Sequence, residues 1–349
     1  MPSLRLVVPV RAGGGPSGGD VYDARLAAAW DAGHGPVHVL ALPGGWPYPT
    51  PAERHALALA LRTENTVVLD GLVGSAAPRE VERAVAAGTR VVLLVHLPLP
   101  AETGLPPAEV ERLAGLEAAA VRAASAVVTT SHWAARDVAR RYGRRDVVVA
   151  APGAVPAPTA QGSRPPHLLV LGALTAVKNH AVLVPALAAV RHLPWRATFA
   201  GPTEAQPAVA GAVARGLAGA GLAERVELPG TVVGEELEAL WQRTDLLLVP
   251  SLVETYGLVV TEALAHGVPA VVAAGTGAVE ALGGDGGPGA ALPGSAVEPT
   301  DAAGWEEVLR IWLTTPGLRQ EWRAAAHARR DRLRAWDDTA ADLRRGLFG

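Results

Sequence analysis

Two glutamates and one lysine are the residues of this sequence whose types and spacing most suggest chemistry. Glu254 and Glu262 lie in "VETYGLVVTEALA", with seven residues between them, one before an expected helix and one on its second turn. Lys178 is the single lysine among 31 basic residues, and it lies in "GALTAVKNH". A compact, flexible ammonium binds phosphate as a point charge, whereas a planar guanidinium binds it with a different geometry. The three residues therefore indicate an anion site.

The start of the helix between the glutamates adds backbone donors to this site. We expect the helix to open at about Gly257, which aims a run of amides at any anion in front of it. The residues that supply these amides are Thr255, Tyr256, Gly257 and Leu258. A diphosphate fits there. The sequence contains no Asp-x-Asp pair for a bridging metal, so we predict no metal ligands.

A glycine-rich segment near the start raises a competing interpretation. The segment "RAGGGPSGGD" follows the apolar run "LRLVVPV" and contains G-x-G-x-x-G at Gly13, Gly15 and Gly18. A dinucleotide-binding fold needs an acidic residue at the end of its second strand to hold the ribose. The second strand here, "VHVLAL", ends without one, which disfavours a dehydrogenase. We expect Gly18 and Gly19 to form a loop that approaches a phosphate or an acceptor.

The elements that must position these residues alternate along the whole chain. Short runs that are apolar nearly throughout alternate with helical patterns, which indicates parallel sheets covered on both faces. The proline-rich stretch "APGAVPAPTAQGSRPP" interrupts the pattern. We predict an N-terminal domain at 1–155 completed by a C-terminal helix at 335–349, a hinge at 156–166 and a C-terminal domain at 167–334. The expected α/β fold is two doubly wound, Rossmann-like domains facing across a cleft, where such sheets bind ligands.

Composition excludes several classes of function. The chain has 349 residues, and 31 basic against 34 acidic residues give a formal net charge of −3. A chain with this charge has no positive electrostatic potential to attract nucleic acid. Cysteine is absent, which removes disulfides, thiolate catalysis and cysteine-based metal sites. We find no leader pattern and no apolar run near the roughly 18 residues of a membrane span. We predict a cytoplasmic protein whose membrane contact, if any, is peripheral.

These stretches resemble the retaining glycosyltransferases of the GT-B fold, family 4 (glycosyl transferases group 1). In that family a Glu, seven residues and a second Glu bind the donor sugar nucleotide. The resemblance extends over nearly the whole chain and includes "GGDVYDARLAAAWDAGH", "VLLVHLPL", "VVTTS", "VAAPG" and "LGALTAVKNH". It implies a hexosyltransferase-type enzyme (EC 2.4) that moves a sugar from a UDP or GDP donor to an unidentified small-molecule, lipid or glycan acceptor. Retention of configuration and no cofactor or metal are expected.

The resemblance also implies roles for individual residues. Glu254 would hold hydroxyls of the donor sugar, and Glu262 would bind the ribose hydroxyls. Lys178 would neutralise the diphosphate, and His96 would sit beside the reacting sugar. The nucleobase would lie against Thr231 and Val232. The remaining expected contacts to the nucleotide sugar are Gly172 and Thr175, in the loop before the lysine, and the helix-start residues Thr255 to Leu258; Gly18 and Gly19 would line the acceptor side.

One position departs from the family pattern and keeps alternatives open. Many members carry an arginine where this chain has Ala173, so Thr175, Asn179 or a shift in a loop of the same length would have to supply that charge, or donor binding is weaker. A nucleotide-sugar epimerase of the same fold and a non-catalytic binding protein are therefore the rival hypotheses. Glu254 as a simple helix cap and His96 as a core histidine are the corresponding structural interpretations. The oligomeric state is left open.

Overall fold

The computed structural model describes residues 3–10, 17–63, 66–101, 104–283 and 291–349. The chain divides into two compact units, which are described separately. Unit 1 comprises the described residues up to Gly153 together with Arg334–Gly349, and unit 2 comprises the described residues of Ala154–Leu333. Each unit contains a six-stranded sheet in which every assigned pair of strands is parallel.

The sheet of unit 1 has the strand order β2-β1-β3-β4-β5-β6. Its strands are β1 (Leu4–Pro9), β2 (Val37–Leu42), β3 (Thr66–Asp70), β4 (Val91–Val95), β5 (Ala126–Thr129) and β6 (Val147–Val149). The central strands β3 and β4 are buried at every position. Helices cover both faces of such a sheet, which is why these strands read as continuous apolar runs instead of alternating ones.

Most helices of unit 1 begin where the sequence supplies a cap or a proline. Ser17 and Thr50 each form a reciprocal capping box with the acid three residues later, and Pro51 occupies the first turn of the second helix. The helices are α1 (Gly18–Gly33), α2 (Pro51–Ala60), α3 (Gly71–Gly74), α4 (Pro78–Ala86), α5 (Pro107–Ala123), α6 (His132–Tyr142) and the last helix of the chain, α14 (Trp336–Phe348). The ring of Trp336 packs edge-on against Tyr22, which joins α14 to α1.

The sheet of unit 2 has the strand order β12-β11-β10-β7-β8-β9. Its strands are β7 (His167–Leu171), β8 (Arg196–Ala200), β9 (Val226–Gly230), β10 (Leu246–Val249), β11 (Ala270–Ala273) and β12 (Gly294–Val297). Its helices are α7 (Leu183–Ala189), α8 (Pro207–Gly219), α9 (Gly234–Arg243), α10 (Leu258–Ala265), α11 (Ala278–Gly283), α12 (Ala302–Thr314) and α13 (Pro316–Arg330). Short 3-10 turns lie at Leu99–Ala101 in unit 1 and at His180–Val182 here.

The structure confirms the predicted fold class, two doubly wound parallel sheets with flanking helices. The expectation that Gly18 and Gly19 form a loop is wrong. Both are the first residues of α1, because the Ser17 side chain caps the helix by accepting the Asp20 amide. Gly13 and Gly15 lie outside the described residues. No helix within the described ranges is both long and apolar enough to cross a membrane.

Candidate functional site

The predicted lysine and the first predicted glutamate follow neighbouring strands of unit 2. β7 and β10 pair in parallel, so the loops that follow them emerge at the same edge of the sheet. Hydrogen bonds tie the two loops together. The Leu252 amide donates to the Val177 carbonyl at 2.8 Å, and Nδ2 of Asn179 donates to the Pro250 carbonyl at 3.0 Å. The positions of the two loops are thus fixed relative to each other.

Lys178 and Glu254 form an ion pair at this edge. Nζ of Lys178 lies 2.6 Å from Oε2 of Glu254, with 33% and 13% of the respective side chains exposed. The same carboxylate oxygen accepts a hydrogen bond from Oγ of Ser251 at 3.3 Å. An ammonium has three N–H donors, and this pair uses one of them. The half-exposed Lys178 can therefore donate hydrogen bonds to an anion and to the carboxylate at the same time.

The helix behind the ion pair begins as its sequence indicates. α10 starts at Leu258, and its N-cap residue Gly257 has φ +89°, a conformation that favours glycine. As a glycine, the N-cap residue has no side chain to cap the first turn. Helix N-termini of this kind present backbone donors and a positive dipole end to anions. Glu262 lies on the second turn of α10 and is half-buried, with its carbonyl oxygen 2.7 Å from Nδ1 of His266.

A close backbone contact holds the segment between Glu254 and α10 in place. The Gly277 amide, at the end of the turn after β11, donates to the Glu254 carbonyl at 2.6 Å. A Cβ atom on Gly277 would lie 2.0 Å from the Thr255 carbonyl oxygen. Thr255 and Tyr256 are buried. Only glycine permits this approach, so position 277 fixes the backbone that leads into the helix.

The loop after β7 is shaped by a second close approach. Gly172 donates its amide to the Ala200 carbonyl at 2.9 Å, and a Cβ atom on Gly201 would lie 2.0 Å from the Gly172 oxygen. Thr175 is half-buried, and its carbonyl accepts the amide of Lys178 at 3.1 Å. These contacts fold the loop back on itself and bring the lysine over the end of the sheet.

Asn179 has a structural position that the sequence does not suggest. It adopts a left-handed conformation with φ 55°, and Nδ2 donates to the carbonyls of Pro250 and Pro299. Both amide hydrogens are thereby used, so the hypothesis that Asn179 replaces the charge missing at Ala173 is wrong. The residue fixes the loop instead.

The histidine next in sequence is buried behind the lysine. His180 is 1% exposed, and both of its ring nitrogens lack a hydrogen-bond partner within the described part of the chain. Burial, followed by the charge of Lys178, lowers the pKa of His180 to about 4. A second buried histidine, His167 on β7, has its pKa lowered to about 4, mainly by burial and then by Arg243. Both imidazoles are neutral at pH 7.

The predicted nucleobase turn lies at the end of another strand of unit 2. Thr231 is exposed and Val232 half-buried, directly after β9 and before α9. Gly230, which precedes them, has φ +78°, and its carbonyl accepts the Gly201 amide at 2.8 Å. The turn is therefore linked through Gly201 to the loop after β7.

His96, Gly18 and Gly19 belong to unit 1. His96 follows β4, and its Nε2 lies 2.9 Å from Oδ1 of Asp23 on α1 and 3.6 Å from Oδ2 of Asp70. A Cβ atom on Gly19 would lie 3.2 Å from Cδ2 of His96, so α1 packs closely on the ring. His96 therefore lies beside two buried carboxylates.

Several residues of these sites were missed by sequence reasoning. Ser251 is a polar side chain two residues after the end of β10, which is a usable signal. Gln206 accepts the Ala176 amide through Oε1 at 2.8 Å from a different loop, and no local pattern indicates this. Asp23 and Asp70 meet His96 only because three strands are neighbours in the sheet.

The second half of the chain matches a family of known proteins. Residues 156–329 match the family described as glycosyl transferases group 1. The D-inositol 3-phosphate glycosyltransferase of Salinispora arenicola is 36% identical over 124 residues, which are 35% of this chain and 26% of that protein. The enzyme of the same name from Xylanimonas cellulosilytica is 29% identical over 245 residues, 64% of this chain and 56% of that protein. The chain thus spans about a quarter to a half of the length of these relatives.

Solved structures match the entire fold. Sucrose-phosphate synthase of Thermosynechococcus elongatus has a TM-score of 0.74 at 16% identity, with 99% of both chains covered. Anabaena HepE, solved with UDP and glucose, has a TM-score of 0.75 at 16% identity, again with 99% of both chains covered. At this identity the likeness shows the fold, which is the GT-B architecture. Together with the family match it supports the predicted class of enzyme, a glycosyltransferase.

Proposed function

We propose that this chain, whose residues 156–329 match the glycosyl transferases group 1 family, is a retaining glycosyltransferase of family 4 that uses a nucleoside-diphosphate sugar. The single observation that carries the proposal is the Lys178–Glu254 ion pair, 2.6 Å long, beside the start of α10. It brings a cation for phosphate and an acceptor for sugar hydroxyls into contact. The family match and the UDP and glucose named for one structural neighbour support this interpretation.

The proposed mechanism follows from where charge develops. When the bond between the anomeric carbon and the diphosphate breaks, negative charge grows on the leaving oxygen and positive charge on the sugar ring. Preorganised donors at the leaving group lower the barrier most. Lys178 and the amides at the start of α10 are these donors in the proposal. Glu254 then binds sugar hydroxyls close to the ring that becomes positive.

In the proposed mechanism the configuration is retained because the acceptor attacks the face from which the diphosphate leaves. The departing diphosphate can take the acceptor's proton, so no dedicated base is needed. No metal is needed at the diphosphate, since an ammonium and a helix N-terminus already supply positive potential. We propose Glu262 for the ribose hydroxyls, Thr231 and Val232 for the base, and His96 for the reacting sugar.

The loop after β7 has Ala173 where many family members carry an arginine. Gly172 and Thr175 are proposed contacts of the diphosphate, and the missing arginine leaves Lys178 as the side-chain cation there. We therefore expect donor affinity to depend on Lys178 more steeply than in members of the family with both cations. UDP and GDP sugars are the donors proposed; the acceptor class is a sugar, a lipid or another small hydroxyl compound.

The test is a panel of UDP, GDP, ADP and dTDP sugars in a thermal-shift assay, followed by nucleotide-release measurements with the donor that binds. A ligand at a hundred times its Kd stabilises the folded chain by roughly 2.7 kcal/mol, which such an assay detects. We expect one nucleotide class to bind and turn over. Glu254→Gln should abolish most of the turnover, whereas Glu235→Gln, an exposed acid in the first turn of α9, should not.

The products distinguish the rival functions. Transfer or donor hydrolysis with release of nucleoside diphosphate supports the proposal. A product with the same anomeric configuration as the donor sugar supports retention. An isomerised donor formed without acceptor would identify an epimerase. Donor binding without any turnover would identify a binding protein, and inverted anomeric configuration would contradict the retaining mechanism.

A further inference from the structure

Glu117 is a buried carboxylate of unit 1 that the proposed mechanism does not use. It lies on α5, and 0% of the residue is exposed. Its carboxylate accepts hydrogen bonds from three segments that are distant in the sequence. Oγ of Ser75 donates to Oε1 at 2.9 Å, the Leu99 amide donates to Oε2 at 3.2 Å, and the Tyr142 hydroxyl also donates to Oε2. A buried carboxylate with three such donors holds the segments together.

Two of these segments adjoin His96 and its acidic neighbour. Leu99 follows the histidine by three residues and begins the short 3-10 turn after β4. Ser75 follows α3, whose N-cap residue Asp70 has its Oδ2 3.6 Å from Nε2 of His96. The carboxylate of Glu117 is thus bonded both to the segment that carries the imidazole and to the helix that begins beside it.

We propose that Glu117 is a positioning residue for His96 and acts through the backbone that follows the histidine. The inference rests on the proposed function, which puts His96 beside the reacting sugar. β4 ends at Val95, which is buried and paired with β5, so the chain is fixed directly before the histidine. Glu117 fixes the chain again at Leu99, and Pro98 restricts the backbone between these points. His96 therefore lies in a short span that is held at both ends.

The side chain of Leu99 adds apolar packing to this anchor. It is 7% exposed and packs in a cluster with Ala76 and Leu113, and Trp46 packs against the same cluster. Apolar contacts are not directional, so they hold the segment against the core without fixing its orientation. The hydrogen bond from the Leu99 amide to Glu117 is directional and supplies the orientation.

The energetics of a carboxylate at this position favour a role in geometry. Burial raises the pKa of Glu117, and the hydrogen bonds from Tyr142 and Ser75 act in the opposite direction. Because the folded chain disfavours the ionised side chain relative to the unfolded chain, ionisation lowers the free energy of unfolding. An apolar residue would avoid this cost but would leave the Leu99 amide without its acceptor. The contacts that orient the segment therefore explain the carboxylate better than stability does.

The test compares Glu117→Met, which removes both acceptor oxygens, with Glu117→Gln, which keeps one of them. Misplacement of a reacting group by about 1 Å can lower the rate by about 100-fold, and we expect Glu117→Met to lower kcat by that order. Glu117→Gln should recover most of the rate, to within about fivefold of the parent. Glu111→Gln, an exposed acid on the same helix, should change kcat by less than about twofold. The Kd for the nucleoside diphosphate should stay the same in all three variants, because its proposed site lies in unit 2.

A double-mutant cycle with His96→Ala separates positioning from a purely structural role. If Glu117 acts through the imidazole, Glu117→Met should lower the residual rate of His96→Ala by less than about threefold. A structural role would lower the rate by the same factor in the parent and in His96→Ala, and this result would overturn the proposal.

Nuclear magnetic resonance of the histidine rings reports on His96 without any turnover. The chain has 10 histidines, and the signal of His96 is the one missing from His96→Ala. We expect Glu117→Met to shift this signal, Glu117→Gln to shift it less, and Glu111→Gln to leave it in place. An unchanged signal in Glu117→Met, or in Glu117→Gln if the methionine variant does not fold, would overturn the proposal. A shifted signal in a chain that turns over no donor would support the positioning of His96 and contradict the proposed function instead.

Discussion

Replacement of Lys178 by methionine removes the ammonium and keeps most of the side-chain stem. Nζ of Lys178 lies 2.6 Å from Oε2 of Glu254 and is about one-third exposed, so an effective dielectric constant near 20 applies. At that value a unit charge about 4 Å from a phosphate oxygen contributes roughly 4 kcal/mol. Loss of one preorganised donor to a developing anion typically lowers kcat by about 10²–10³. We expect Lys178→Met to fall in this range.

The assay is the initial rate of nucleoside-diphosphate release, together with calorimetric Kd values for the nucleoside diphosphate. Lys178→Arg retains the charge with a different shape, so we expect a loss of only about tenfold in kcat. Arg310→Met removes an exposed cation from α12 in the same unit and should change kcat less than twofold. The nucleoside diphosphate should also bind more weakly to Lys178→Met.

A kcat/KM of Lys178→Met within threefold of the parent, under conditions in which Arg310→Met gives the same result, would contradict the role of the ammonium. That outcome would mean that the ammonium does not face the leaving group. A fall in activity accompanied by a large loss of stability would be uninformative, so urea denaturation at pH 7 is measured for each variant. Stability within about 1 kcal/mol of the parent qualifies a variant for comparison.

Three further predictions follow from other contacts. Burial lowers the pKa values of His167 and His180 from 6.5 to about 4, so the unfolded chain takes up protons at a higher pH than the folded chain. The free energy of unfolding should therefore fall by about 3 kcal/mol per histidine as the pH drops from 6.5 to 4. Urea titrations across this pH range measure the fall. Gly277→Ala puts a Cβ atom 2.0 Å from the Thr255 oxygen and should cost about 1–3 kcal/mol and weaken donor binding in calorimetry. Asn179→Ala loses two side-chain hydrogen bonds and should unfold about 2–3 kcal/mol more easily.

Matched control variants separate these effects from non-specific destabilisation of the fold. Gly219→Ala adds a Cβ atom that meets nothing within 4 Å at the end of α8, and it should not destabilise the chain. Asn179→Gly keeps the left-handed backbone and loses only the hydrogen bonds, so it should lie between the parent and Asn179→Ala. His180→Gln should flatten the stability profile between pH 6.5 and 4; an unchanged slope would contradict the assignment of a neutral buried imidazole.

The predictable part of this protein is the part that follows from local pattern. Apolar runs such as β4 and β10 are buried on both faces, so their sequences alone indicate a covered parallel sheet. Lys178 and Glu254 each follow a strand, and the rule that ligands bind at carboxyl ends of strands predicts that both lie at one edge of the sheet. The start of α10 at Leu258 is also close to the expected position.

The rest depends on which strands are neighbours and how closely backbones approach. Nothing near Asp23 or Asp70 in the sequence indicates that both reach His96, because the adjacency of β1, β3 and β4 is a property of the sheet. Gly18 and Gly19 were expected in a loop because the apolar pattern begins later than the cap at Ser17. Contacts such as that between Gly277 and Thr255 need coordinates, since glycine in a turn has many explanations.

The most direct measurement is a crystal structure of the chain with UDP or GDP bound. We predict a diphosphate oxygen within about 2.7–3.2 Å of Nζ of Lys178, with the first amides of α10 donating to the same group. A diphosphate bound away from α10, with Lys178 still paired only to Glu254, would contradict it.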